Sequence, residues 1–273
     1  MIDLKLTTTN YYSRKSNREF MSVSQYKEFA KCEACAMAQL NGTWDKPQSR
    51  ALLLGSYVDE MLTGTKKSQE KFIAENTGEL FKKNGEPYAD IAQAMATVER
   101  VKQQPLMMKF LSGKHQKIMT GSIAGVPFKI RMDSYQPGEF IADLKYMSSL
   151  RSPNLFEPLV KYWNYTAQGA VYQEIVYQNT GERLPFYLVI ATKESPAHLE
   201  VCEIKQYDLD EELDNIKRMA PRFQQIKQGI ILPERCEDYN CDFCAETKII
   251  TEPIDSNFMG MSAKQMKVVR GEL

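Results

Sequence analysis

The first hundred residues place apolar and polar positions with the period of an α-helix. Apolar residues recur three or four positions apart in four stretches, each flanked by a capping residue, a glycine or a proline. The pattern predicts helices from Ser22 or Ser24 to Asn41-Gly42, over 50–62 before Gly64, over 68–76, and over 88–104 before Pro105. Residues 1–18 precede these helices and are interpreted as an N-terminal arm.

From Lys117 the hydrophobic period changes to two, which is typical of β-strands. Three strands are predicted up to residue 146, and Pro137-Gly138 supplies the turn before the last of them, 139–146. A helix over 163–178, strands over 184–192 and 199–207, and a helix over 210–227 follow. This order predicts an α/β fold in which a central mixed β-sheet is flanked by helices on both faces, behind a helical N-terminal region.

Length and composition limit the organisation and the class of protein. The chain has 273 residues, 43% of them hydrophobic, which is enough for one domain over 1–273 with a large core. The 35 basic and 35 acidic residues exclude a strongly basic nucleic-acid coat. No apolar run approaches the roughly 18 residues that span a bilayer, and no signal segment is visible. A cytoplasmic protein without a membrane partner is therefore expected.

Two carboxylates and a lysine fall where a hairpin can bring them together. Alternation along 139–146 puts Asp143 and Lys145 on one strand face, and Asp133 lies on the preceding arm. Paired carboxylates repel unless a hard cation such as Mg²⁺ or Mn²⁺ lies between them, and such an ion activates water for phosphodiester hydrolysis. Lys145, with a pKa depressed by the cation, can orient or deprotonate that water. The alternative is a solvated ion pair at a strand end.

Three further features can serve the same site. The predicted helix over 50–62 contains Gly55 and Ser56, which are small enough for close packing on the sheet, and Asp59, a further candidate metal ligand. Gln168 and Tyr172 lie one helical turn apart and can reach a phosphate or a base. A basic stripe near the hairpin can contact phosphates, although such a stripe is more often a solvated strand face: Lys114, Lys117, Lys129 and Arg131.

In chain order, these residues resemble the motif series of the RecB-like branch of PD-(D/E)XK nucleases, in particular phage RecE-like exodeoxyribonucleases. The series is a G-x-x-x-H helix, an Asp, a D-x-K strand and a Q-x-x-x-Y helix, and it is matched over about residues 22–245. The matching positions are Gly55 to Asp59, Asp133, Asp143-Leu144-Lys145, and Gln168 to Tyr172. Asp59 departs from the family by replacing its His, which puts the metal preference in doubt.

The resemblance implies a restriction-endonuclease-like core, catalysis by the five residues Asp133, Asp143, Lys145, Gln168 and Tyr172, and a metal held with the help of the Leu144 carbonyl. It also implies DNA as substrate, a recombinase partner of phage type and a ring-shaped homo-oligomer. The predicted function is a metal-dependent exonuclease that acts on double-stranded DNA ends. The alternatives are a single-strand or structure-specific nuclease of the same superfamily, and a noncatalytic DNA-binding module with the same fold.

Five of the six cysteines fall into two groups far apart in the sequence. Cys236, Cys241 and Cys244 form C-x4-C-x2-C in the C-terminal segment 236–244, whereas Cys32 and Cys35 lie on the first predicted helix. Three clustered thiolates and a distant fourth can hold a 4Fe-4S cluster or Zn²⁺, and the resemblance selects Cys32 as the fourth. Free reduced thiols are the alternative. Cys202 stands alone on a predicted strand and is interpreted as a core residue.

Overall fold

The structure is a computed structural model, and it describes residues 4–45, 49–236, 241–250, 253, 255–261, 265 and 268–269. Eight helices precede the first strand: α1 (Arg14–Glu19), α2 (Val23–Lys31), α3 (Glu33–Asn41), α4 (Arg50–Thr63), α5 (Lys66–Glu75), α6 (Thr77–Leu80), α7 (Ala89–Lys102) and α8 (Pro105–Leu111). The rest comprises β1 (Lys117–Ile123), β2 (Val126–Met132), β3 (Ser134–Gln136), β4 (Phe140–Met147), α9 (Leu159–Tyr162), α10 (Tyr165–Thr180), β5 (Phe186–Thr192), β6 (Leu199–Ile204), α11 (Gln206–Lys227), α12 (Asp242–Glu246) and a 3₁₀ turn at Ser256–Phe258.

The central sheet is mixed, which confirms the predicted fold class. Its four strands run in the order β3-β4-β5-β6. β4 and β5 pair in parallel, with α10 as their crossover, whereas β3 and β6 pair antiparallel to their neighbours. β1 and β2 form a separate antiparallel hairpin. This order places β4 inside the sheet, so its backbone is hydrogen-bonded to a neighbouring strand along each edge.

Helices cover both faces of the sheet, and each face has its own core. On one side α4, α7 and α8 pack against Phe140, Ala142 and Leu144 of β4. On the other side α2, α10, α11 and the β1-β2 hairpin pack around Ile141 of the same strand. This division follows from the alternation of side chains along a strand. Asp143 and Lys145 share the face of Ile141 and therefore point toward α10.

Three helix predictions differ from the structure. The helix expected from Ser22 to Asn41 is two helices, because Cys32 has extended backbone and its sulfur caps α3 by accepting from the Cys35 N–H at 3.4 Å. Pro105 follows the end of α7, as expected, but it also begins a helix that was not predicted, α8, at the position where proline needs no N–H. The prediction that Gly55 packs closely against the sheet was wrong, since a Cβ at this position would meet nothing within 4 Å.

The predicted hairpin also has a different partner. β2 does not pair with β4; it pairs with β1, while the turn at Pro137-Gly138 joins β4 to the three-residue β3. Four strands thus precede α9, where the sequence predicted three. Asp133 falls between β2 and β3, at the point where the chain leaves one sheet for the other. The junction still brings Asp133 beside β4.

The longest helix, α11, has 22 residues and packs its apolar side on the core. Its other side carries charged residues such as Glu211 and Lys217, as expected of an amphipathic surface helix. Across the described part of the chain, no helix combines the length and the apolarity needed to cross a bilayer.

Lys129 fastens the N-terminal segment to β2. Its side chain is 1% exposed, so the prediction that Lys129 contacts phosphates is wrong. The ammonium donates to the Tyr11 carbonyl, to Ser16 Oγ and to Asn17 Oδ1, the last two at 2.6 Å each. Burial lowers the pKa of Lys129 to about 8. Residues 11–17, within the expected arm, are thereby held against the hairpin.

Replacing Lys129 by alanine should lower the free energy of unfolding by about 2–4 kcal/mol, because it leaves buried acceptors unpaired and opens a cavity. Urea unfolding measures this loss. Lys117, exposed on the neighbouring strand β1, is the matched control, and its alanine variant should stay within about 0.5 kcal/mol of the parent. Equal stability of both variants would show that the Lys129 contacts contribute nothing.

Candidate active site and cysteine site

Strand β4 presents Asp143 and Lys145 to the interior. Asp143 is 2% exposed, and its Oδ2 lies 2.5 Å from Lys145 Nζ, a side chain that is 21% exposed. Burial favours the neutral amine, but the attraction of Asp143 and Asp133 outweighs it and raises the pKa of Lys145. The protein groups alone therefore keep Lys145 charged. The depressed pKa predicted from the sequence depends on a cation.

Helix α10 supplies Gln168, which joins the two charged residues. Its Nε2 donates to Asp143 Oδ1 at 2.5 Å, and its Oε1 accepts from Lys145 Nζ at 2.9 Å. Asn164 directly precedes the helix, and its side chain caps the helix by accepting from the Ala167 N–H. Gly169 lets the helix approach closely, since a Cβ there would lie 2.9 Å from the Phe186 ring. Gln168 thus holds the Asp143–Lys145 pair in one geometry.

Asp133 directly follows β2 in the chain and contacts β4. Its Oδ2 accepts a hydrogen bond from the Leu144 N–H at 3.1 Å. Burial, and then the negative charges of Asp143 and Asp59, raise the pKa of Asp133 well above the ordinary value. The structure therefore brings Asp133, Asp143, Leu144, Lys145 and Gln168 together. A metal-binding role of the Leu144 carbonyl stays a prediction.

Asp59 reaches this group from α4. Its Oδ1 accepts from Thr63 Oγ1 at 3.1 Å, and its Oδ2 accepts from Gln116 Nε2 at 3.3 Å. Burial raises the pKa of Asp59 and the nearby Asp143 carboxylate raises it further, against the hydrogen bond from Thr63. Because Asp143 acts on the pKa of both Asp59 and Asp133, the three carboxylates form one acidic group.

The acidic group fits a divalent cation. The charge of Asp143 raises the pKa of Asp59 and of Asp133, and a positive charge between the carboxylates would offset this repulsion. One buried side-chain oxygen at this place, Gln116 Oε1, has no hydrogen-bond partner among the described residues, and Asp143 Oδ2 is engaged by the Lys145 ammonium. All the candidate metal-ligand atoms in this group are oxygens, which Mg²⁺ and Mn²⁺ prefer. Asp59, Asp133 and Asp143 are the residues that would hold such an ion.

Replacing Asp59 by alanine should raise the metal concentration needed for half-maximal DNA hydrolysis several-fold, because one carboxylate is lost. Replacing it by histidine should retain activity but shift the preference toward Mn²⁺, since imidazole suits Mg²⁺ poorly. Titrations of activity with each metal test both variants. If both titrations match the parent protein, Asp59 is a residue of the helix surface and not a ligand.

Tyr172 has a partner inside the protein. It lies one turn beyond Gln168, as predicted, but its side chain is buried and its hydroxyl donates to the Arg131 carbonyl at 3.0 Å. The hydroxyl is thus engaged by the main chain at the end of β2. A direct contact of Tyr172 with a phosphate or a base stays a prediction, and in the protein alone this residue positions Arg131.

Sequence reasoning missed two residues beside Lys145. Lys27 of α2 donates to the Trp163 carbonyl at 3.1 Å, and both Lys27 Nζ and Lys145 Nζ lie over the Tyr165 ring, at 5.3 and 5.0 Å from its centroid. Burial, and then the charge of Lys145, lower the pKa of Lys27 to about 8. Lys27 belongs to a helix more than a hundred residues away in sequence, and no motif marks it.

The four predicted cysteines meet at the end of α2. The sulfur atoms of Cys32, Cys236, Cys241 and Cys244 all lie within 4.8 Å of one another, and Cys32 Sγ is 3.5 Å from Cys244 Sγ. Burial, and then the thiols of Cys244 and Cys32, raise the pKa of Cys236. A bound soft cation would instead lower the pKa of these thiols, because it binds their thiolate form. Residues 237–240 lie outside the described part of the chain.

The donor set fits the predicted cofactor classes. Four thiolates hold structural Zn²⁺ or an iron-sulfur cluster. Sulfurs at about 2.3 Å from one tetrahedral zinc ion lie roughly 3.8 Å apart, which agrees with the observed spacing, whereas the larger cluster needs the sulfurs further apart. The identity of the metal stays a prediction. Cys35 lies beside the group, and burial raises its pKa to about 11, whereas Cys202 is partly exposed at the edge of the core.

A second set of contacts fastens the same two chain segments. Glu33, the first residue of α3, accepts from Arg222 of α11 at 2.6 and 2.9 Å and from the Glu234 N–H at 2.8 Å. Trp44 and Phe243 pack edge to face at 5.9 Å beside the cysteines. The Trp44–Phe243 contact therefore holds the C-terminal segment beside α3 in addition to the cysteine site, whereas the Glu33–Arg222 ion pair joins α3 to α11.

Comparisons with known proteins place the chain in a family. Residues 22–247 match a family described as "PDDEXK-like domain of unknown function (DUF3799)". A crystal structure of a "putative exonuclease" from Eubacterium rectale is 41% identical, covers 92% of this chain and 97% of its own, and superposes with a TM-score of 0.84. No curated protein matches the chain. The chain belongs to the PDDEXK-like family of unknown function, within the PD-(D/E)XK superfamily.

Proposed function

We propose that this nuclease is a metal-dependent DNA exonuclease that hydrolyses phosphodiester bonds at double-stranded DNA ends. One observation carries the proposal: Gln168 joins the buried pair Asp143–Lys145 beside Asp133, so that metal-binding and water-orienting groups share one place. The family and the exonuclease name of the similar crystal structure agree with it.

Each residue of the site has its own role in the proposed reaction. Asp133 and Asp143 would hold a cation, Mg²⁺ or Mn²⁺, with Asp59 and the Leu144 carbonyl as further ligands. When bound, such a cation would supply charge stabilisation at the phosphoryl group and lower the pKa of water. Lys145 orients the attacking water with its ammonium and stabilises the charge that develops on the phosphate. Gln168 prevents Lys145 from turning away, and Tyr172 keeps the main chain of Arg131 in place.

The finer features rest on the resemblance to RecE-like enzymes. They are membership of that branch, action in phage-type recombination with a single-strand annealing recombinase as partner, and a ring-shaped homo-oligomer. In such a ring each subunit would present its site to DNA that passes through the centre. Mass measurement in solution with and without DNA tests the assembly, and a constant monomer mass would contradict the ring.

End dependence separates the proposed activity from its alternatives. The protein is incubated with linear duplex, covalently closed circular duplex, and linear and circular single strands, in Mg²⁺, Mn²⁺ or Ca²⁺, and the products are separated by size. Release of nucleotides or short fragments from linear duplex, with circles intact, is the expected result. Cleavage of closed circles would indicate an endonuclease, and digestion of single strands alone would support the single-strand alternative. DNA binding without hydrolysis would support the noncatalytic module.

A further inference from the structure

A cavity of about 560 Å³ opens beside Lys145, and the expected N-terminal arm forms one of its walls. Tyr11, Tyr12 and Asn17 line it from that segment, and residues of α2 and α3 line it from the other side. Protein cavities for single small ligands measure roughly 300–1,000 Å³. The cavity therefore has room for unpaired nucleotides next to the candidate catalytic group, and a duplex is too large for it.

Tyr12 presents an aromatic ring to this cavity in a fixed orientation. The side chain is 66% exposed, although a buried aromatic residue, Tyr11, packs against it edge to face at 5.0 Å. The Arg131 guanidinium lies 4.6 Å from the Tyr12 ring centroid and donates to its hydroxyl at 2.6 Å. Lys129 anchors the chain around both tyrosines. An exposed ring held by this many contacts is poorly explained by folding alone.

Basic side chains accompany the ring. Arg131 and Lys145 line the cavity together with Lys27, and the Lys27 and Lys145 ammonium groups lie over the same Tyr165 ring, 5.3 and 5.0 Å from its centroid. The lining also includes the acidic residues Glu28 and Asp45. The cavity lining thus offers three cationic side chains, of which Lys145 also pairs with Asp143 behind it. An aromatic ring beside clustered cations is the arrangement by which proteins bind single-stranded nucleic acid without sequence preference.

We propose that the cavity binds the unpaired terminal nucleotides of a DNA strand and that the base of one of them stacks on Tyr12. The inference deepens the proposed function and rests on it, because it assigns the form in which a DNA end reaches Lys145. Arg131 positions the ring, and Lys27 contacts the strand's phosphate. A duplex end must then separate its last base pairs before hydrolysis, and stacking on Tyr12 offsets part of that cost.

The test measures binding separately from hydrolysis. A short single strand that carries the fluorescent base 2-aminopurine at one terminus, in separate preparations for each end, is titrated with protein in Ca²⁺. Stacking on the wild-type protein should quench the fluorescence for one of the two ends. Tyr12→Ala should remove the quenching and weaken binding at least about fivefold, whereas Tyr12→Trp should retain both. Tyr207→Ala, at a tyrosine of equal exposure (69%) outside the cavity lining, is the matched control and should bind like the parent.

Unchanged quenching and affinity in a folded Tyr12→Ala variant would overturn the stacking proposal, even if the protein hydrolyses DNA ends normally. Quenching that needs Tyr12 in a protein that hydrolyses no DNA with Mg²⁺ or Mn²⁺ would keep the binding site and overturn the proposed function instead. Equal losses in Tyr12→Ala and Tyr207→Ala would show a general effect of surface aromatic residues and would also reject the site.

Discussion

Replacing Lys145 by methionine, or Asp143 by asparagine, is expected to lower DNA hydrolysis at least about a hundredfold, or about 2.7 kcal/mol in the barrier, while the fold stays intact. The asparagine keeps an oxygen that can accept from Gln168, so the change removes one charge with little change of shape. Methionine keeps the length of Lys145 and removes its ammonium. Both losses act on the transition state, in which negative charge develops on the phosphate.

Initial rates of nucleotide release from a linear duplex, measured at saturating Mg²⁺ and again at saturating Mn²⁺, give the size of the effect. Asp210→Asn is the matched control, because Asp210 forms an exposed ion pair with Arg183 and should leave the rate unchanged. Near-normal rates in folded Lys145→Met and Asp143→Asn would remove both residues from the active site.

Replacing Cys241 by serine is expected to release the soft metal and to lower the midpoint of thermal unfolding by roughly 5–10 °C. The sulfur of Cys241 belongs to the group that joins Cys32, at the start of α3, to the C-terminal segment. The Trp44–Phe243 contact and the hydrogen bond from the Glu234 N–H to Glu33 should preserve part of the attachment, so the variant should still fold. The hydrolysis that remains should still need Mg²⁺ or Mn²⁺. Carboxylate oxygens prefer these hard cations whereas thiolates prefer soft ones, so loss of the soft metal should not change the metal requirement of the active site.

Elemental analysis of protein purified without oxygen counts zinc and iron in the parent and in the variant. Cys202→Ser is the matched control, since Cys202 lies on β6 away from the cysteine site and should change neither the metal content nor the stability beyond about 1 kcal/mol. Parent protein that contains neither metal, with thiols that react as free groups, would contradict a metal site.

The parts of the site on one strand were predictable from sequence. Alternation along β4 put Asp143 and Lys145 on one face, and helical spacing put Gln168 and Tyr172 one turn apart, which the structure shows. The central mixed sheet with helices on both faces was confirmed because its strands and helices have clear periods. Local periodicity is set by local geometry, so a single sequence carries it.

The parts that depend on tertiary contacts were not predictable. Nothing in the pattern around Lys129 distinguishes a buried ammonium with three acceptors from a lysine on a solvated strand. Lys27 and Tyr12 reach the site only through the packing of α2 and the N-terminal segment, and Gln116 contacts Asp59 across 57 residues of sequence. The break at Cys32 was missed because a cysteine sulfur is an uncommon helix cap.

The position of the catalytic cation tests the account most directly. Crystals of the protein with Mn²⁺ and a short DNA strand, measured at the manganese absorption edge, locate the ion by its anomalous scattering. We expect a peak between Asp133 and Asp143, about 2 Å from an oxygen of each carboxylate and with Lys145 facing the same phosphate. A manganese ion bound elsewhere near the DNA, with both carboxylates unliganded in a crystal whose protein hydrolyses DNA in solution, would contradict it.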